Sequence, residues 1–215
     1  INFSNLQIGA IDGNVSYHLE PDMSMYGQVR NFSCTETLAK QTLAHLSSDY
    51  LIDIKPDPPA KLRICMEGAK VLMGRTVLDM DAQLEDVRRD TVPGFHPEFS
   101  ANFRPSRFDF QNLNKLLPKP LPMDEPIQIA GYLWGDMEGI KSDSLEIGLM
   151  EKTRLRTSAE LTGYKDPENL RFKLGIEEGT VSFEELQRFL PGTNVPLKGV
   201  VAVRGNINGS LDRLR

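Results

Sequence analysis

Apolar and polar residues alternate with period two along most of this chain, the pattern of strands with one covered face and one wet face. Ile127, Ile129, Gly131 and Leu133 take one side of a strand, and Gln128, Ala130 and Tyr132 the other. Leu145, Ile147 and Leu149 oppose Ser144 and Glu146, and Leu155, Thr157, Ala159 and Leu161 oppose Arg154, Arg156, Ser158 and Glu160. Leu170, Phe172, Leu174 and Ile176 oppose Arg171 and Lys173, and Val201, Val203, Gly205 and Ile207 oppose Ala202 and Arg204. In the N-terminal half, Leu62, Ile64 and Met66 oppose Lys61, Arg63 and Cys65. Turn chemistry separates the runs at Gly135-Asp136, at 163–167, at Glu178-Gly179 and at Asn208-Gly209. Such short connections predict an antiparallel meander with one greasy face. From Arg75 to Glu85 the apolar parity changes. Val71 and Met73 predict one face and Leu78, Met80, Ala82 and Leu84 the other, as at a bulge, a bend or a strand buried on both sides.

Helical signals are few. Ser182-Phe-Glu-Glu185 reads as a capping box, with Glu185 reaching back, followed by Phe183, Leu186 and Leu190 on one helical face and Pro191-Gly192 as the stop. Asp109 caps an earlier copy carrying Phe110, Leu113 and Leu117, stopped by Pro118. A third short helix around 37–46 is ambiguous with a strand. The two helices belong to an internal repeat. Phe110-Gln-Asn-Leu-Asn-Lys-Leu-Leu-Pro118 echoes Phe183-Glu-Glu-Leu-Gln-Arg-Phe-Leu-Pro191 at an offset of 73 (183 − 110). Gly131 to Lys141 echoes Gly205 to Arg215 at 74 (205 − 131). Repeats of this length predict stacked units in an elongated body. The expected organisation is a looser β-rich section over 1–107, a helix-plus-strands repeat over 108–181, and the start of a further repeat over 182–215. Proline-rich joints at 56–59 and 118–122 read as stiff connectors.

Of 215 residues, 40% are hydrophobic and 26% charged, which predicts an ordered chain. A net charge of −5 with scattered Lys and Arg offers no footprint for nucleic acid. No apolar run reaches the ~20 residues of a membrane-spanning helix. Two cysteines, Cys34 and Cys65, are too few for a disulfide framework and read as reduced, part-buried thiols. The three histidines lack metal-ligand spacing. Asp79 and Asp81, with Glu85 and Asp86 nearby, read as a solvated strand end rather than a hard-cation site. Neither a phosphate loop nor a nucleophile elbow is present. The expectation is a non-enzyme without a cofactor. Tyr132 and Trp134, beside a turn, could stack on a sugar or sit at a membrane surface, but packing beneath a helix or loop is the more ordinary fate.

A sheet with one greasy face must cover it. Patterning alone ranks a sandwich first, then a barrel; the helix-led repeat favours an open groove. Residues 102–215 resemble the TamB/AsmA-like envelope proteins of bacteria with two membranes. The phrases that carry the likeness are Asp124-Glu-Pro-Ile-Gln-Ile-Ala-Gly-Tyr-Leu-Trp-Gly135, Leu145-Glu-Ile-Gly-Leu-Met-Glu-Lys-Thr-Arg-Leu-Arg-Thr-Ser-Ala-Glu-Leu-Thr-Gly163, Asp166-Pro-Glu-Asn-Leu-Arg-Phe172 and Ser182-Phe-Glu-Glu-Leu-Gln-Arg-Phe-Leu-Pro191. The resemblance implies an all-β fold with a few short helices, an elongated curved antiparallel sheet forming a taco-like apolar groove. It also implies a periplasmic section of a longer, inner-membrane-anchored protein that carries phospholipid between membranes and meets an outer-membrane assembly partner. Membrane contact would then come only through termini beyond this chain. Ile1, already strand-like, and the strand-turn-strand reading of 206–215 fit an internal section. The expected lining is Ile127, Ile129, Leu133, Leu145, Ile147, Leu149, Leu155, Leu161, Leu170, Phe172, Leu174, Val201, Val203 and Ile207, holding acyl chains. The helices led by Phe110 and Phe183 would cross or flank the groove. Alternatives are a scaffold that assists outer-membrane proteins by β-augmentation, and a β-sandwich carbohydrate-binding or adhesion module.

Overall fold

The computed structural model describes residues 8–36, 41–55, 61–87, 97–111, 125–163, 170–189 and 198–210. They form β1 (Ile8–Leu19), β2 (Met25–Glu36), β3 (Gln41–Lys55), β4 (Lys61–Met73), β5 (Thr76–Val87), β6 (Glu98–Phe108), β7 (Ile127–Gly135), β8 (Gly139–Leu149), β9 (Thr153–Thr162), β10 (Arg171–Ser182), helix α1 (Phe183–Phe189) and β11 (Val200–Ser210). All eleven strands make one antiparallel sheet in sequence order. β1 and β11 are its free edges, so the sheet is open, and one sheet runs through the boundaries expected at 107 and 181. The all-β expectation is met; the sandwich ranked first on patterning is not. The two proline-rich joints, most of the helix led by Phe110, the turn at 164–167 and residues 211–215 lie outside the described residues.

A solid core is missing among the described residues. The buried apolar side chains there are Cys65, Ala69, Leu145 and Leu149, while buried polar residues are more numerous. The chain exposes 14277 Å², against about 10,000 Å² for a compact globule of its mass. Single-layer architecture explains both observations, because the described residues form no second layer over either face.

The strands hold their facial parity through a repeated irregularity. In β8, Ser142 and Leu145 are three apart but face Ala159 and Thr157, two apart on β9. Every even-numbered strand has such an extra residue relative to both neighbours: at Arg30-Asn31, Glu67-Gly68, Arg104-Pro105, Asp143-Ser144 and Glu177-Glu178. The first three bulges are 37 residues apart (67 − 30, 104 − 67). The 73-residue repeat is therefore close to two hairpins. β1 and β3 carry further shifts near their far ends. Asn31 and Gly68, the second residues of the first two bulges, have φ of 54° and 59°, a left-handed conformation that Asn and Gly accept more readily than other residues.

Three local expectations change. The parity shift after Met73 is a hairpin: Gly74-Arg75 forms the turn, Met73 faces Thr76 and Val71 faces Leu78, so all these apolar residues share one face. Glu178-Gly179 is not a turn but lies inside β10, with Glu178 in the bulge and Gly179 paired just beyond it, and Asn208-Gly209 lies inside β11. Residues 41–46, ambiguous in sequence, are β3.

Deleting Ser144 tests the bulges. Without the extra residue, either Leu145, Ile147 and Leu149 or the opposite end of β8 must turn to the polar side. Urea unfolding is expected to show a loss of at least ~3 kcal/mol, from the burial value of those side chains. Ser144→Ala should stay within ~0.5 kcal/mol, as a surface substitution does.

Candidate functional site

Residues that face each other across antiparallel strands project to the same side. Followed across the sheet, the registers bring together one largely apolar face. From β7 to β11 it carries Ile127, Ile129, Leu133, Leu145, Ile147, Leu149, Leu155, Leu161, Phe172, Leu174, Val201, Val203 and Ile207. Leu170 immediately precedes β10. These are the residues expected from sequence, and they share one side. The face continues beyond the lining expected from sequence, through Met80 and Leu84 on β5 and Ile64 and Met66 on β4, whose alternation the sequence showed, and on to Phe99 and Phe103 on β6, Ile52 on β3, and Val29 and Phe32 on β2, which it did not follow. The signal that could have found them is the same alternation, hidden by the bulges and by the hairpin at Gly74. Exposure is greatest at the β1 edge, where Val15 is 59% and Tyr17 71% exposed.

Short hydroxyls interrupt this face, and they serve the bulges. Ser48 Oγ donates to Glu67 O at 3.2 Å, at the β4 bulge. Ser106 Oγ donates to Arg104 O at 2.8 Å and accepts from Asp79 N at 2.9 Å, at the β6 bulge. Thr157 Oγ1 donates to Leu145 O at 3.1 Å, beside the β8 bulge. A bulge frees backbone groups from the ladder, and a buried polar group without a partner is costly. These three hydroxyls, all buried, satisfy the freed groups from the apolar side. Tyr50, also on this side, reaches over Gly27 to donate to Ser16 O at 2.9 Å and ties edge strand β1 to β3.

The opposite face is polar and laced with cross-strand ion pairs. Arg104 on β6 binds Asp79 and Asp81 on β5, the latter at 2.7 Å. The guanidinium, together with the Gly68 N–H, holds the Asp81 carboxyl below its ordinary range. These aspartates therefore lie in mid-sheet, not at a solvated strand end. Lys61 meets Glu85 at 2.8 Å, Lys173 meets Glu160 at 2.8 Å, and Arg156 bridges Glu178 at 3.0 Å and Glu146 at 3.6 Å. Long charged side chains also wall a cavity of about 900 Å³, which includes Arg107, Gln128, Glu146, Arg154 and Arg156 in its lining, on the polar side. Among the described residues no group of three or more His, Cys, Asp or Glu could hold a metal ion, and no helix is long and apolar enough to cross a membrane. Cys34 and Cys65 are free and lie on opposite faces of the sheet.

Two pins hold one end of the strands. Thr153, at the start of β9, accepts the Ser182 N–H on Oγ1 at 3.0 Å; Thr76, at the start of β5, accepts the Asp109 N–H at 3.0 Å. Around this shared geometry the chemistry differs. Arg75 donates to Asp109 at 2.8 and 3.3 Å. Glu185 accepts three backbone N–H groups of the β8–β9 turn, from Glu151 at 3.0 Å and from Lys152 and Thr153 at 2.8 Å. The expected capping box is thus only half formed. Ser182 Oγ accepts the Glu185 N–H at 3.4 Å, but the Glu185 carboxylate reaches to the neighbouring turn instead of back to Ser182. α1 consequently packs beside β8 and β10 at the strand ends. Burial pushes the Glu185 carboxyl up, but the N–H groups of Lys152, Glu151 and Thr153 outweigh it and leave it below the usual range. Asp109 behaves likewise, with burial opposed by Arg75 and the Gln111 N–H.

No protein-family model, curated protein or solved structure matches this chain.

The pins predict an acid limb. Both folded-state values lie below the unfolded ones, about 3.9 for Asp and 4.3 for Glu. Their contribution is complete above that range and is lost as pH falls through the folded values. Glu185→Gln should cost about 1–3 kcal/mol at pH 7 and progressively less as pH falls through the lowered folded-state value, where the wild-type carboxyl itself takes up a proton. Urea unfolding at pH 7 and at low pH measures this; an equal loss at both contradicts the assignment.

Proposed function

We propose that the apolar face binds hydrocarbon chains, and that the protein is a section of a TamB/AsmA-like conduit carrying phospholipid across a bacterial periplasm. The observation that carries the reading is the largely apolar side of an open eleven-stranded sheet over which the described residues place no second layer. Each CH₂ removed from water is worth about 0.8 kcal/mol, so a face lined by Leu, Ile, Val and Phe holds an acyl tail without directional contacts. That lack of directionality suits sliding. The hydroxyls of Ser48, Ser106 and Thr157 do not oppose it, because they are bonded to the backbone. Head groups would stay wet at the rim. The reading assigns this section neither catalysis nor a cofactor.

A second reading rests on the free edges. Among the described residues no strand pairs with the outer side of β1 or of β11, and an unpaired edge accepts an incoming strand. This would suit a scaffold for outer-membrane strands.

Photo-crosslinking separates the two. A photoreactive side chain at Leu174 should capture phospholipid, and one at Ser16, on the polar side of the β1 edge, should not. Ile147→Asp or Phe172→Asp should abolish lipid capture, whereas Ser158→Asp on the polar side should leave it intact. Unchanged lipid loading in the two apolar-face variants would overturn the conduit, and peptide captured in place of lipid would favour the scaffold.

A further inference from the structure

A group of arginines on the polar face has no part in either reading. Arg107 on β6, Gln128 on β7, Gly148 on β8, Arg154 on β9 and Thr180 on β10 face one another in a single row. They line the cavity of about 900 Å³, with Glu146, Arg156 and Glu178 in the adjoining row. Gly148 leaves room in the first row, and the Arg154 guanidinium lies over it: a Cβ at Gly148 would come within 2.5 Å of Arg154 Nη1. That pose is fixed by the β8–β9 turn. Arg154 Nη1 donates to Met150 O at 3.3 Å and to Thr153 O at 3.1 Å. Gln128 donates to the same Met150 O at 3.3 Å, and Thr180 to Lys152 O at 3.0 Å. The Nε–H and Nη2–H edge of Arg154 then meets no acceptor among the described residues. Arg107 gives only its Nε–H, to Arg75 O at 2.8 Å, and keeps both Nη groups.

The charges of the lining decide what such a cavity takes. They are Arg107, Arg154, Arg156, Glu146 and Glu178. Both carboxylates belong to Arg156, which lies 3.6 Å from Glu146 and 3.0 Å from Glu178. Asp109, whose carboxyl also feels Arg107, is bound by Arg75. Among the described residues no carboxylate lies within ion-pair distance of Arg107 or Arg154. Three guanidiniums against two carboxylates leave one net positive charge (3 − 2), in a protein whose own net charge is −5. The open edge of Arg154 carries two parallel N–H groups, the fork that pairs with two oxygens of one anion. A carboxylate spends both its oxygens on such an edge, whereas a phosphate keeps others for the second guanidinium. Because the turn already holds Arg154 in place, little side-chain freedom is lost when an anion engages it.

We propose that the cavity walled by Arg107 and Arg154 is a binding subsite for a phosphate group, with the two guanidiniums as its donors. A lipid head group and a free phosphate share that chemistry. The proposal stands apart from the hydrocarbon reading, because the charged groups that define the subsite all lie on the polar face.

Arginine Nε–Hε correlation spectra of the labelled chain report the guanidiniums directly, and calorimetry gives the affinity. The chain is titrated with inorganic phosphate and with glycerophosphoglycerol, a phospholipid head group without tails. Sodium chloride at about 100 mM screens diffuse attraction beyond about 10 Å. A saturable shift of the Arg154 signal is expected with at least one probe. Tighter binding of the diester assigns the subsite to a lipid head group, and tighter binding of inorganic phosphate assigns it to a free phosphate. Arg154→Lys keeps the charge but loses the fork, and Arg107→Gln leaves the β8–β9 turn untouched; each should weaken binding about tenfold. Arg204→Gln on β11, outside the cavity, should stay within about twofold, as a remote exposed charge does. Far-ultraviolet circular dichroism checks that each variant keeps its strands. No saturation by either probe up to about 10 mM, shifts at other arginines without one at Arg154, or unchanged affinity in Arg154→Lys or in Arg107→Gln would each overturn the proposal.

Discussion

Side chains alternate along a strand, so any residue inserted into a ladder sends everything beyond it to the other face. A sheet of eleven long strands can keep one side apolar only if each irregularity is matched to its sequence. The even-numbered strands of this protein meet that constraint with an extra residue pair near mid-strand, drawn from Arg, Asn, Glu, Gly, Pro, Asp and Ser. The apolar residues before and after the pair then return to the same side. Continuity of the face, the stacking of hairpins and the function proposed for the face all follow from this matched parity.

A bulge has a chemical cost, because it leaves backbone groups outside the ladder. Ser48, Ser106 and Thr157 meet that cost from the greasy side, while Asp81 accepts the Gly68 N–H at 2.7 Å from the wet side. The same Asp81 is bound by Arg104, which begins the next bulge. Bulge repair and cross-strand ion pairing are thus parts of one network on the polar face. Exposed ion pairs are individually weak. Here they give a single-layer sheet a well-solvated side, so that only the other side seeks hydrophobic cover.

Much of this was legible in the sequence. Leu145, Ile147 and Leu149, or Phe172, Leu174 and Ile176, alternate cleanly because no bulge interrupts them, and their strands and shared face follow directly. The repeat offset of 73 was visible through the Phe-led helices, whereas the shorter hairpin unit was not, because its marker is an insertion without a fixed residue type. Gly74-Arg75 hid a hairpin inside what read as one strand: a two-residue turn mimics a parity slip. Glu178-Gly179 misled in the opposite direction, since Gly marks bulges as well as turns. Glu185 illustrates a further limit. Its place in a capping box is local information, while the turn it grips lies 32 to 34 residues earlier in the chain.

The central claim is that the apolar side of the sheet meets no second layer of the same protein. Methyl nuclear Overhauser spectroscopy on the chain with labelled Ile, Leu and Val methyls tests it most directly. The account predicts that Ile147 shows cross-peaks to Ile129 and Leu155, its partners on β7 and β9, and none to Ile52 or Ile64 on β3 and β4. Strong cross-peaks between Ile147 and those distant strands would place another layer over the face and contradict the account.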